Sequence, residues 1–145
     1  MLATVAPFAI SRKGRKVSVP VRQALSMTID RDAYIDAFNN VSGFEKEGVP
    51  MEVGWNTHVP SSWPTIWLDP KKNQLGENSK YLQYQPDEAA KLLKAAGAFG
   101  AEDTITYAAT GLFGTQKQLE VLAQMFNQGG HFKIKLNPAD YTTEI

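Results

Sequence analysis

The last third of the chain constrains the fold most. Residues 132–136 read F-K-I-K-L, placing Phe132, Ile134 and Leu136 on one side and Lys133 and Lys135 on the other. That two-residue period is the pattern of a half-buried strand. Upstream, T-I-T-Y-A-A-T is also strand-like, with Ile105, Tyr107 and Ala109 on one face, after an acidic turn at Glu102-Asp103. Between them Thr115 and Gln118 have the spacing of a capping box. Leu119, Leu122, Ala123 and Phe126 then recur at helical spacing to about Gln128, where Gly129-Gly130 stop the helix. Strand, helix and strand at this length predict two parallel strands joined by a right-handed crossover. The fold class is therefore α/β.

Nearer the amino terminus, residues 20–38 read P-V-R-Q-A-L-S-M-T-I-D-R-D-A-Y-I-D-A-F. Val21, Leu25 and Ile29, spaced four apart, predict one buried helical face. Asp30 is suited to cap a second helix, Arg31 to Asn40. That helix should bury Ala33, Ile35, Ala37 and Phe38 and leave Arg31, Asp32 and Asp36 in solvent. A further helix is predicted over 86–97. Pro86 suits its first position, and Asp87 and Glu88 complement the dipole. Ala89, Leu92, Leu93 and Ala96 form its stripe, and Gly97 a left-handed cap.

Residues 41–84 are punctuated by glycines at 43, 48, 54 and 76 and prolines at 50, 60, 64 and 70. They read as one long loop, and loops longer than about 15 residues in a compact domain are functional or disordered. Trp55, Trp63 and Trp67 all fall here and argue against disorder. Each ring either caps the core as a satellite cluster, the reading favoured for any one of them, or lines a ligand cleft.

Composition narrows the function. Fifteen basic residues balance fifteen acidic ones, so nothing in the net charge draws the chain to nucleic acid or an anionic membrane. The basic cluster Arg12-Lys13-Gly14-Arg15-Lys16 reads as a solvated turn between Phe8–Ile10 and Val17–Val19 in preference to a phosphate patch, since no aromatic is interleaved. Ala3 to Ile10, broken by Pro7, reads as an edge strand or extended segment. There is no cysteine, which excludes disulfides and thiolate metal sites. His58 has no second histidine at ligand spacing, and Glu45, Glu47 and Glu52 are irregularly placed, so neither metal nor cofactor is expected. The loop Gly111-Leu112-Phe113-Gly114 matches no phosphate-binding motif and reads as a plain turn. A small α/β enzyme using Asp30, Asp32 or His58 as acid or base is the alternative function, without the convergence of groups that catalysis needs.

Two motifs carry a resemblance. V-R-Q-A-L-S-x-x-I-D-R-D-A-x-I-D-A, from Val21, resembles the signature of the extracellular solute-binding proteins of the peptide, oligopeptide and nickel class (family 5), which serve bacterial ABC importers. Tyr84-Gln85-Pro86, with its helix ending at Ala96-Gly97, is similar to the family's second motif, usually tyrosine, aspartate, proline. Gln85 replaces the capping aspartate, which implies a weaker helix start. The family's glycine-containing turn falls at Ser42-Gly43-Phe44, and its proline-rich run, which passes near the ligand cleft, begins at Val49-Pro50.

The resemblance implies part of the second lobe of a two-lobed periplasmic-binding-protein-like fold, a single partial domain over 1–145. Its parts are an extended segment 1–19, a helix pair 20–40, the loop 41–84, helix 86–97 and a strand–helix–strand unit 104–137. Tyr141 to Ile145 would open a further helix. The partner lobe and the family's tryptophan-and-aspartate segment would lie outside the chain. Ser42, Gly43, Phe44, Trp55 and His58 are the candidate ligand contacts. The implied partners are a peptide or other small solute and an ABC permease, with no nucleic acid. The implied location is periplasmic or extracellular, through an export signal or lipoprotein anchor outside this chain. Unpaired strand edges in a partial lobe predict self-association.

Overall fold

The computed structural model describes residues 17–108 and 115–139. The expectations for Ala3–Ile10, Arg12–Lys16, Gly111–Gly114 and Tyr141–Ile145 lie outside these residues. In chain order the elements are α1 (Val19–Met27), α2 (Arg31–Asn39), α3 (Val41–Lys46), 3-10 helices at Pro70–Lys72 and Gly76–Leu82, and α4 (Pro86–Ala95). Then come β1 (Ala101–Ala108), α5 (Thr115–Asn127), a 3-10 turn at Gln128–Gly130 and β2 (Phe132–Ala139).

The strand–helix–strand unit is present, with β1 and β2 parallel and in register from Ala101↔Phe132 to Ala108↔Ala139. β1 begins earlier than its sequence suggests. Glu102 and Asp103 are not a turn but the second and third residues of the strand. The register explains this, because it sets Glu102 opposite Lys133, and their side chains pair at 3.2 Å on the outward face. Leu119, Leu122, Ala123 and Phe126 of α5 are all buried, together with Phe132 and Ile134 of β2, while Lys133 and Lys135 face water. The described part of α5 runs from Thr115 to Asn127.

Asn127, the last residue of α5, holds the far side of β2. Its carboxamide donates to the Ile134 carbonyl at 2.9 Å and accepts the Ile134 amide at 2.6 Å. A strand residue points its N–H and C=O to one edge, so this side chain occupies the edge of β2 away from β1. Pro138, four residues on, has no N–H to offer on that same edge.

α1 and α4 pack on this unit and on each other. Ala24, Leu25, Met27, Ile29, Ala89, Leu93, Phe126 and Phe132 share one core cluster. α1 stops at Met27, before Ile29, because the Thr28 hydroxyl donates to the Leu25 carbonyl at 2.8 Å and tightens the last turn. Ile29 is buried all the same, in the link to α2.

α2 runs as expected from its cap, with the Ala33 amide donating to the Asp30 carboxylate at 3.0 Å. Its buried face differs. Ala33 and Ala37 are exposed, and Tyr34 is the buried residue, with Phe38 beside it at 5.1 Å between ring centroids. Two alanines gain little from burial, so the larger Tyr34–Phe38 ridge sets the helix rotation. Arg31 turns inward with this ridge, and Asp32 and Asp36 are both engaged in hydrogen bonds.

α4 begins without a side-chain cap from Gln85, as the missing aspartate implies. Two other contacts fix this end. The Gln85 amide donates to the Met27 carbonyl at 2.9 Å, and His131 Nε2 lies 2.8 Å from the Pro86 carbonyl. Ala89 and Leu93 are buried and Leu92 half-buried, but Ala96 is exposed, since the helix ends at Ala95 and Ala96 stands at the cap.

Gly97 has φ 63, its amide donates to the Lys94 carbonyl, and the Ala98 amide donates to that of Leu93. This is the double hydrogen bond of a Schellman cap. A Cβ at Gly97 would meet nothing within 4 Å, so Gly97→Ala carries backbone strain alone. It should lose about 1 kcal/mol, lowering the melting temperature by about 3 °C. An unchanged melting curve would show that the left-handed cap contributes nothing.

Candidate ligand-binding surface

Asp32 and Asp36 are one helical turn apart and so share a face of α2. From Asp36 the chain returns directly. Asn40 takes a left-handed φ of 50 and redirects it into α3, a helix where a loop is expected. The Ser42 amide and hydroxyl then donate to the two Asp36 carboxylate oxygens at 2.7 and 2.8 Å. These bonds, the backbone one first, hold the Asp36 carboxyl below its ordinary value of 3.8.

From Asp32 the reach is longer. One of its carboxylate oxygens accepts both the Trp55 indole N–H and the Lys71 ammonium, each at 2.7 Å. Lys71 Nζ also lies 4.8 Å from the Trp55 ring centroid, and the Arg31 guanidinium carbon lies 5.8 Å from it. Trp55 is 6% exposed. Trp67 then donates its indole N–H to the Trp55 carbonyl at 2.9 Å. Gly54 is packed too closely for any side chain, since a Cβ would lie 2.5 Å from that of Ser61. Asn56 Oδ1 accepts the Ser61 amide at 2.9 Å and its hydroxyl at 3.2 Å. Residues 54–69 are thus a compact, internally bonded loop and not a disordered connection.

The Arg31 guanidinium donates to the Ser26 carbonyl at 3.1 Å, to the Ser26 hydroxyl at 2.8 Å and to the Leu82 carbonyl. Burial pushes its pKa down to about 10, so it stays cationic at neutral pH. It ties α1, α2 and the 3-10 helix Gly76–Leu82 together.

The sequence candidates have divided roles. Ser42 is exposed and bonded to Asp36. Gly43 is half-buried, and a Cβ there would lie 2.4 Å from the Asn40 carboxamide oxygen. Phe44 and His58 are exposed, and Trp55 is buried against Asp32. Ser42 and Trp55 are therefore held on one face of α2. Arg31 and Lys71 are absent from the sequence candidates, and Asp32 is among them only as an acid or base. Asp32 and Trp55 are 23 positions apart, and no periodicity links them. As acid or base, Asp30 is occupied with its cap and Asp32 with Trp55 and Lys71. Among the described residues no group of three metal-ligating side chains occurs, and no helix is long and apolar enough to cross a membrane.

A helix pair, the glycine-capped α4 and a parallel β–α–β unit give the α/β architecture of a partial solute-binding lobe. The family model described as bacterial extracellular solute-binding proteins, family 5 Middle, matches residues 13–145. The chain belongs to this family. Its members are carriers that bind solutes for ABC import, in the periplasm or outside the cell. No curated protein matches the chain.

The Asp32–Trp55 bond is testable by a double-mutant cycle. Asp32→Ala leaves the indole N–H without its acceptor and should cost about 1 kcal/mol. Combined with Trp55→Phe, the two changes should fall short of additivity by about 0.5 kcal/mol or more in urea unfolding. Strict additivity would mean that the bond adds nothing.

Proposed function

We propose that this protein captures peptides between two lobes and delivers them to a membrane permease, making and breaking no covalent bond. Membership of the solute-binding family over residues 13–145 carries this reading. Ser42, Gly43, Phe44, Trp55 and His58 belong to the ligand-facing side, with Trp55 acting as the fixed base of the Trp-rich loop. The protein is anchored at the outer surface of the cytoplasmic membrane as a lipoprotein, and residues 1–145 form one partial domain.

Thermal unfolding with a mixture of tripeptides tests this. A peptide at a hundred times its Kd should stabilise the protein by about 2.7 kcal/mol, raising the melting temperature by several degrees. No shift with tripeptides at millimolar concentration, against a clear shift with nickel–histidine, would move the reading from peptide to metal chelate.

Self-association is the second part of the proposal. Asn127 and Pro138 close the outer edge of β2, so pairing between copies would run through β1. Sedimentation velocity should show a concentration-dependent dimer. A monomer at every concentration would remove this part.

A further inference from the structure

Asn127 is exposed at the end of α5, yet both ends of its carboxamide are committed to β2. Nδ2 donates to the Ile134 carbonyl at 2.9 Å, and Oδ1 accepts the Ile134 amide at 2.6 Å. A residue of a neighbouring antiparallel strand would make the same two bonds. Among the described residues β2 pairs with β1 alone. A side chain therefore stands where a second strand would.

Strand residues present their backbone groups to alternate edges. Phe132 and Leu136 thus share the outer edge with Ile134, and Asn127 takes the middle residue of the three. Without it, two copies of β2 would be able to pair antiparallel about Ile134. Ile134 would then face its own counterpart, and Phe132 would face Leu136 of the other copy. All three residues would lie in hydrogen-bonded pairs. The apolar sides of both strands, with Phe132 and Ile134 buried, would continue one another. Pro138 would fall opposite Gly130, which precedes the strand, so its missing N–H would not obstruct this pairing. The carboxamide is the obstacle. A second, weaker one is charge, since Lys133 of one copy would stand opposite Lys135 of the other.

We infer that Asn127 is a plug that holds the outer edge of β2 against strand addition by a second copy of this chain. This deepens the self-association reading, because it confines association to the β1 side.

The test compares the parent with Asn127→Ala by sedimentation velocity. The variant should associate about tenfold more tightly than the parent, or better. Its association should strengthen as salt is raised, since screening relieves the facing lysines. Hydrogen exchange should show the Leu136 amide protected in the associated variant and open in the parent. Asn127→Ser, whose side chain is too short to span both groups of Ile134, should behave alike, and melting curves verify each fold. If both variants lose the fold, or keep the parent's oligomeric state at every concentration, Asn127 is only a tether between α5 and β2. The inference is then overturned, and the self-association reading is untouched. An association that weakens with salt runs through opposite charges and overturns it too. A monomeric parent beside an associating variant removes self-association of the parent and leaves this inference standing.

Discussion

The first turn of α2 is the point on which the rest of the structure depends. Two adjacent residues there face different ways, since neighbouring helical positions are rotated by about 100°. Arg31 goes inward to the Ser26 and Leu82 carbonyls, and Asp32 goes outward to Trp55 and Lys71. One turn of helix therefore joins α1, the 3-10 helix before α4, and the Trp-rich loop. The inward arm is a charge desolvated against carbonyl oxygens. Such a group is costly unless every donor finds an acceptor, and the backbone supplies most of them. Moving that backbone breaks bonds in two elements at once, which gives a small helix pair control over a long loop.

Local chemistry made part of this legible from sequence. The Asp30 cap, the Gly97 cap, the α5 stripe and the alternation of β2 are all decided within a few residues, by hydrogen-bond geometry or by period. They appear where the pattern places them. The failures are of one kind. Ala33 and Ala37 have the right polarity for a core, but burial follows area, and Tyr34 and Phe38 offered more of it. Arg31 looks like a solvated charge because its partner, Leu82, is distant in sequence, and Asp32, exposed as expected, gives no sign of its bond to Trp55. Glu102 and Asp103 look like a turn until the partner strand shows that Glu102 faces Lys133. Each error concerns a pairing between separated segments, which one-dimensional periodicity does not encode.

The candidate surface was legible to a smaller degree for the same reason. Ser42 and Gly43 are set by the reversal at Asn40, a local event. The three tryptophans were visible as a group, but their division of labour was not. Trp55 and Trp67 spend their indole N–H groups on Asp32 and on the Trp55 carbonyl. Trp63 is the exposed one of the three. A buried indole needs a hydrogen-bond acceptor, whereas an exposed one has water. Which ring is structural thus turns on where acceptors lie in space.

The sheet follows the same logic of partners. Parallel strands are ordinarily covered on both faces. Here the outward face carries Glu102, Thr104 and Thr106 on β1 and Lys133, Lys135 and Asn137 on β2, all exposed. Only the inward face bears Phe132 and Ile134. A sheet with one polar face gains its stability from one layer of helices, so the helix side must be well packed, as the cluster of α1, α4 and α5 side chains is. The edges are managed by side chains in place of strands. Asn127 takes both backbone groups of Ile134, and Asp103 accepts the Thr104 amide at 2.7 Å. Both devices satisfy strand backbone that a neighbouring strand would otherwise bind, at the expense of places where one could add. The two-stranded unit therefore presents polar side chains on its open face and partly closed edges.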